Sequence, residues 1–337
     1  MYATLARRTN RGHGKISLLP WGLALKRKSR ENPQPEAAAT RFIHRNTTIP
    51  VPEIFDVIQY QTSSDTNSCD GLIVMEEIEG QTLDKWIADR TGWSDEYMRN
   101  FDLIMSREGD ADTILPFLSS QEPTVDWCGA EQLFADLCDV FHQLRSLAPP
   151  YPQVISGVTG GPLFSIRRDA DEFIGPFSDV REFHRYLTSL VCFPSRMPRL
   201  MKLADPVYKK QQRICFTHAD IHGGNVIVRD DRLVAVIDWE QAGWYPEYFE
   251  RTQIRRLQGV ANKANPEFWE TVGYFKGMHA DELLLEDALD ASTGNRARNG
   301  GRVLARRASP RRCIAVQSVD FTLVANILSL SLCEAQA

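Results

Sequence analysis

The sequence predicts an α+β protein, with a small strand-rich first part and a larger, mostly helical remainder. Short apolar runs separated by turn signals crowd the first 80 residues, and helical periodicities fill most of the chain beyond them. The length of 337 residues fits one large domain or two lobes sharing a cleft. Apolar residues make up 43% of the chain and charged residues 25%, which excludes wholesale disorder, collagen and a membrane bundle. No run reaches the roughly 17–25 apolar residues that a spanning helix needs. The nearest, Val319 to Cys333, carries Asp320 and Asn326.

Ile16–Leu19 and Leu23–Lys26 flank the turn signal Pro20-Trp21-Gly22 and form a strand pair. Pro35 and Glu36 open an Ala-rich helix with Ala39, Phe42 and Ile43 on one face. Pro50 and Pro52 force extended backbone after it. Residues 71–78 are apolar enough for a strand buried on both faces; Gly80 breaks it, and Thr82 caps a helix starting at Leu83. Helices are expected over Glu131–Leu147, ended by Pro149-Pro150, and over the stripe Phe183, Tyr186, Leu187 and Leu190. A hairpin of residues 225–228 and 233–238 turns at the polar stretch Arg229 to Arg232. His142 and His184 read as surface or packing residues on their helices.

The net charge of −5 conceals a division along the chain. Residues 1–30 hold eight Lys/Arg and no acid, and residues 291–337 hold seven Arg against Asp320 and Glu334. The 260 residues between carry 24 basic and 42 acidic side chains. Such a body repels a phosphate backbone, so no nucleic-acid partner is expected, and no membrane partner either. It suits a cationic small molecule or a metal-bound anion. Seven scattered cysteines with no C-x-x-C pair point to a reducing compartment, with Cys138 and Cys215 as buried thiols. The acid-free start has the charge of a transit segment, but Pro20 and Gly22 interrupt it. A cytoplasmic protein is the expectation, its oligomeric state unreadable.

The densest chemistry lies between Ile214 and Glu250, where His218, Asp220, His222, Asn225, Asp238 and Glu240 fall close together. Ile214-Cys215-Phe216 leads the polar group to a strand end, and Gly223-Gly224 allows a tight loop. The hairpin then returns Asp238, read as the last residue of its second strand, to that loop. Asp220, Asn225 and Asp238 should therefore converge. Phosphoryl transfer needs one carboxylate to take a proton from the acceptor hydroxyl. It also needs an amide oxygen and a second carboxylate for hard Mg²⁺ ions. His218 would hold the loop through backbone hydrogen bonds.

The string His218-Ala219-Asp220-Ile221-His222-Gly223-Gly224-Asn225, together with Ile237-Asp238-Trp239-Glu240, resembles the aminoglycoside phosphotransferase/choline kinase family. Residues 242–250 resemble the family's continuation, especially in its fungal members. The resemblance spans roughly residues 16–290 and implies a bilobal protein-kinase-like fold. A nucleotide-binding N-lobe would span 1–78, a catalytic and substrate C-lobe 79–290, and a basic, disordered tail 291–337. It implies ATP and Mg²⁺ as cofactors, with Asp220, His218 and Asn225 catalytic, and Asn225 and Asp238 holding metal. Lys26 would hold the nucleotide phosphates, with Lys28 on the same strand face as the fallback, and Glu36 would pair with that lysine. The backbone from Glu76 to Ile78 would meet the adenine edge, with Met75 and Ile78 near the ring.

Two features depart from the family pattern. Only 25 residues precede Lys26, and Gly12 and Gly14 are the candidates for a glycine-rich loop, so a shortened N-lobe is expected. The basic tail matches nothing in the family. The functional expectation is an ATP-dependent kinase acting on a hydroxyl of a small, cationic acceptor. One alternative is a catalytically impaired kinase-like module that binds a ligand or partner. Another, a metallohydrolase, would use His218, Asp220 and His222 and need further ligands at ligand spacing. Glu240 and Trp244 are candidates to face the acceptor, Trp244 reading better as core.

Overall fold

A computed structural model describes residues 15–28, 32–60, 70–91, 127–165, 172–261 and 266–292. Contacts divide the chain into residues 1–301 and 302–337, and every described residue belongs to the first unit. Gly12, Gly14 and the basic tail lie outside the described residues.

The first part is a four-stranded antiparallel sheet. Strands β1 (Ile16–Leu19), β2 (Leu23–Lys28), β3 (Ile54–Tyr60) and β4 (Asp70–Glu76) run in the order β1-β2-β4-β3. The expected strand pair is present, joined through Trp21, whose φ of 68° is left-handed. Strand alternation sorts β2 into two faces. Leu23 and Leu25 pack with Leu19, Leu72 and Val74, while Ala24, Lys26 and Lys28 are buried on the opposite side. Two lysines thus point inward. Between β2 and β3 lies α1 (Gln34–Asn46), the expected Ala-rich helix, with Pro in its first turn. Its Ala39 and Ile43 belong to the large core of the remaining chain rather than to the sheet's small cluster.

The chain leaves the sheet at 77–80. Strand β5 (Gln81–Thr82) already pairs with the second part, and α2 (Leu83–Thr91) comes next, the Thr82 hydroxyl accepting from the Lys85 amide at 3.4 Å. The core is built on α3 (Glu131–Ser146), whose Leu133, Leu137, Phe141 and Leu144 recur at helical spacing and are buried. Around it come β6 (Ser156–Gly157), the hairpin β7 (Leu163–Ser165) and β8 (Glu172–Ile174), α4 (Val180–Ser189) and α5 (Met197–Tyr208). Next are β9 (Ile214–Thr217), β10 (Val226–Arg229), β11 (Arg232–Val236) and β12 (Gly243–Pro246). Helices α6 (Phe249–Ala261), α7 (Pro266–Val272) and α8 (Ala280–Ser292) complete the described chain.

Several expectations are refined. The β10–β11 hairpin turns on Asp230 and Asp231, with φ of 52° and 56°, the double left-handed turn that matches strand twist. Its second strand ends at Val236, so Asp238 lies beyond the strand rather than closing it. A three-stranded sheet of order β6-β12-β9 was not foreseen, because Gly243 and Pro246 hide a strand that only its pairing with β9 makes regular. Cys215 is buried as expected, whereas Cys138 is only half-buried, its thiol donating to the Val272 carbonyl. Among the described residues no helix is long and apolar enough to cross a membrane.

His184 is a packing residue. It is buried, stacks on Tyr208 at 4.0 Å and meets the Tyr248 hydroxyl at 2.8 Å. Burial lowers its pKa to about 4, against the pull of Asp179 and Glu282. The unfolded chain therefore takes up a proton near pH 6.5 that the folded chain refuses until about pH 4. Stability is unaffected above pH 6.5 and falls as pH drops through that window, by up to about 3 kcal/mol. Urea unfolding at pH 7 and pH 4.5 should show a smaller acid loss in His184→Gln than in the wild type. An unchanged difference would contradict this.

Candidate active site

The site is assembled where β9 ends. This strand is wholly buried and delivers His218 into the interior. The His218 and Ala219 amides donate to the two oxygens of Glu250, at 2.7 and 3.1 Å, so α6 clamps the start of the loop. Arg145 of α3 secures the strand end, donating to the Phe216 carbonyl at 2.7 Å. The His218 ring joins two segments: Nδ1 accepts from the Asp220 amide at 3.2 Å, and Nε2 donates to the Ile237 carbonyl at 3.0 Å. Burial keeps the ring neutral, with a pKa lowered to about 4. It works as a scaffold.

The loop then turns tightly. His222 Nδ1 accepts from the Gly224 amide, and a short 3-10 turn spans Gly223–Asn225. A Cβ at Gly223 would strike the Asp84 carboxylate, so the close approach of α2 requires glycine there. Asn225 closes the turn, rather than opening β10 as expected. Its Nδ2 donates to the Asp220 carbonyl at 2.9 Å and to Asp220 Oδ2 at 3.2 Å. The Ile237 amide donates to the Asn225 carbonyl at 2.9 Å, which ties the metal-candidate segment to the loop.

Asp238 comes next at φ 64°, ψ 59°, heading a 3-10 turn over Trp239–Gln241. For a residue with a Cβ this left-handed conformation costs roughly 1–2 kcal/mol, and it swings the carboxylate back from the strand direction. Trp239 anchors the turn, fully buried, its indole donating to the Val236 carbonyl. Asp238 Oδ1 accepts from Lys26 Nζ at 2.7 Å, and the same ammonium donates to Glu36 Oε1 at 2.7 Å. Lys28 pairs with Glu36 Oε2 at 2.9 Å and also with Glu240. Two lysines of β2 and one carboxylate of α1 thus reach the Asp238 turn.

Electrostatics separates the carboxylates. Burial alone would raise Asp238, but Lys26 and Lys28 overcome it and hold the group below the usual carboxylate range. Asp220 has only the weaker opposing pull of Arg256 and the Asn225 amide. Burial, reinforced by the negative charges of Asp238 and Glu240, pushes it up to about 7. For Lys26, burial would favour the neutral amine, yet Glu36 and Asp238 outweigh it and raise the pKa. The result is one carboxyl able to exchange a proton near neutrality beside one fixed as an anion.

Lys26, Glu36, Asp238, Asn225, Asp220 and His218 are brought together as a connected set. Glu76 and Ile78 lie at the exit of β4. The Glu76 amide serves the Glu53 carbonyl and the Glu77 amide serves Gly22, leaving Ile78 as the donor this stretch can offer a ligand. Glu240 is ion-paired with Lys28, and Trp244 is core. A His218-Asp220-His222 metal triplet is excluded, since His218 uses both ring nitrogens on the backbone. Among the described residues the group able to converge on a metal is Glu36, Asp238 and Glu240, their oxygens within 4.8 Å. Sequence reasoning missed Glu250 as the clamp and Lys28 as a second ion-pair partner. An acid directly after the aromatic pair Tyr248-Phe249 was the available signal for the first.

The model of the phosphotransferase enzyme family matches residues 130–252. That match covers 123 of the 337 residues, and within it the segment is similar to the phosphotransferase enzyme family. It contains His218, Asp220, Asn225, Asp238 and Glu250, while Lys26, Lys28 and Glu36 precede it. None of the curated proteins compared matches the chain. Among solved structures, the chain is similar to the amicoumacin kinase hAmiN in complex with AMP-PNP, Ca²⁺ and Ami. That likeness has 12% identity, a TM-score of 0.48, and covers 95% of this chain and 85% of the other. A thermostable mutant of the aminoglycoside phosphotransferase APH(4)-Ia, apo form, gives 12% identity, TM-score 0.47, and 85% and 88% coverage. The streptomycin–ATP–APH(2")-IIa ternary complex gives 14%, 0.44, and 87% and 86%.

Proposed function

We propose that the chain transfers the γ-phosphate of ATP to a hydroxyl of a small, cationic acceptor. The observation that carries this reading is the meeting of Lys26, Asp238 and Glu36 in one ion-paired group, linked through the Ile237 amide to the Asn225–Asp220 pair. Asp220 receives the proton of the acceptor hydroxyl and orients it for in-line attack, its raised pKa suiting that exchange. Lys26 exchanges Asp238 for the nucleotide phosphates while Glu36 keeps it aimed. His218 and Asn225 hold the loop so that Asp220 does not rotate away.

The donor set fits Mg²⁺. Asp238 is a fixed anion, and Asn225 spends its amide nitrogen on Asp220, which leaves its carbonyl oxygen to offer to a hard cation. Mg²⁺ held by Asp238 and Asn225 would neutralise charge on the phosphates. The acidic balance of residues 31–290 supports an amine-bearing acceptor of aminoglycoside or choline type. Free Cys128, Cys138, Cys192 and Cys215 support a reducing, cytoplasmic setting. The test is transfer of label from γ-labelled ATP to a panel of hydroxylated amines with Mg²⁺. Transfer to at least one supports the reading, and transfer to none with neutral polyols active would move the acceptor class.

A further inference from the structure

Glu36 carries two ammonium groups, not one. Oε1 takes Lys26 and Oε2 takes Lys28, and each lysine continues to a different acid of the same turn, Asp238 for Lys26 and Glu240 for Lys28. Lys28 is the more deeply buried of the two, 2% exposed against 7%. A buried ammonium costs several kcal/mol to desolvate, and a Met or Leu would fill that space without the penalty. An ion pair kept in such a place is best explained by registry, holding elements in one alignment rather than adding stability. Here the elements are β2, α1 and the 3-10 turn that α1 packs against.

Given the kinase reading above, on which this rests, the two bridges have different fates. Lys26 must leave Asp238 when phosphates and metal arrive. Glu36 would then be free to follow Lys26, and the Asp238 turn would lose its tie to β2. Lys28 makes neither loss necessary, because Glu240 lies two residues beyond Asp238 in the same turn. We propose that Lys28 and Glu240 are positioning residues, a second bridge that fixes Glu36 and the Asp238 turn while Lys26 moves to the nucleotide. Neither touches the phosphates. Glu240 thereby acts on metal binding through the backbone of its turn.

The test measures Mg²⁺-dependent ATP binding by calorimetry for the full-length wild type, Lys28→Met, Glu240→Gln, the double variant, Lys28→Arg and Lys26→Met. Thermal melting confirms that each is folded, and the near-isosteric Glu240→Gln serves if Lys28→Met is not. Lys28→Met and Glu240→Gln should each raise the Mg²⁺ concentration for half-saturation by about tenfold. The double variant should be no worse than either single one, as for two ends of one interaction. Lys28→Arg should restore most of the loss, and Lys26→Met should lose ATP affinity itself. Variants within twofold of the wild type, or strictly additive effects, overturn the bridge. So does the reverse pattern, with Lys28→Met abolishing ATP binding and Lys26→Met sparing it, which would make Lys28 the phosphate ligand. A folded wild type that binds no Mg²⁺-ATP overturns the kinase reading and the bridge with it; that outcome differs from a binding wild type with indifferent variants.

Discussion

Asp220→Asn is expected to lower phosphate transfer by roughly 10²–10⁴-fold while ATP affinity stays within a few-fold of the wild type. The substitution removes the proton acceptor and little else. An asparagine oxygen can still accept from Asn225 Nδ2, and the loop amides remain tied to Glu250 and His218. Among the described residues no lysine pairs with Asp220, and what the variant loses beyond the proton acceptor is the attraction of Arg256 for the anion. Single-turnover transfer and equilibrium ATP titration, run on the same preparation, separate the two quantities. Full turnover in the variant would show that another group takes the proton.

The second large effect concerns Asp238. Asp238→Asn keeps the shape of the side chain, and asparagine tolerates the left-handed backbone at this position better than alanine. It removes the anion that would hold the metal and that holds Lys26 in the free protein. Mg²⁺-dependent ATP affinity should fall by about a hundredfold or more, since losing even an outer-shell partner costs ten- to a hundredfold. Binding measured without Mg²⁺ should change far less. A nucleotide titration at several Mg²⁺ concentrations reads both, and equal affinities in variant and wild type would place the metal elsewhere.

Much of this site was legible because its signals are local. The string from His218 to Asn225 carries its glycines and polar groups within eight positions, whereas the roles of Lys26 and Glu36 follow from the family resemblance and not from their local sequence. The scaffold role of His218 also came from that string. The illegible features depend on partners distant in sequence. The apolar run Val234 to Ile237 predicts a strand through Asp238, whereas the strand stops at Val236 and a left-handed residue turns the chain. Nothing near Glu240 in the sequence reveals that Lys28, 212 positions away, reaches it. Strand β12 exists because β9 lies beside it, and Glu250 matters because two amides 31 and 32 residues earlier need an acceptor. Local propensity cannot report such contacts, since tertiary partners override it.

The kinase reading depends above all on whether the described sheet and turn form a working nucleotide site. Calorimetric titration of the full-length wild type with ATP, with and without Mg²⁺, tests this most directly. The expected result is saturable one-site binding that Mg²⁺ tightens strongly, with that Mg²⁺ gain lost in Asp238→Asn. A folded protein that shows no saturation at millimolar ATP, or that binds equally well without Mg²⁺, would contradict it.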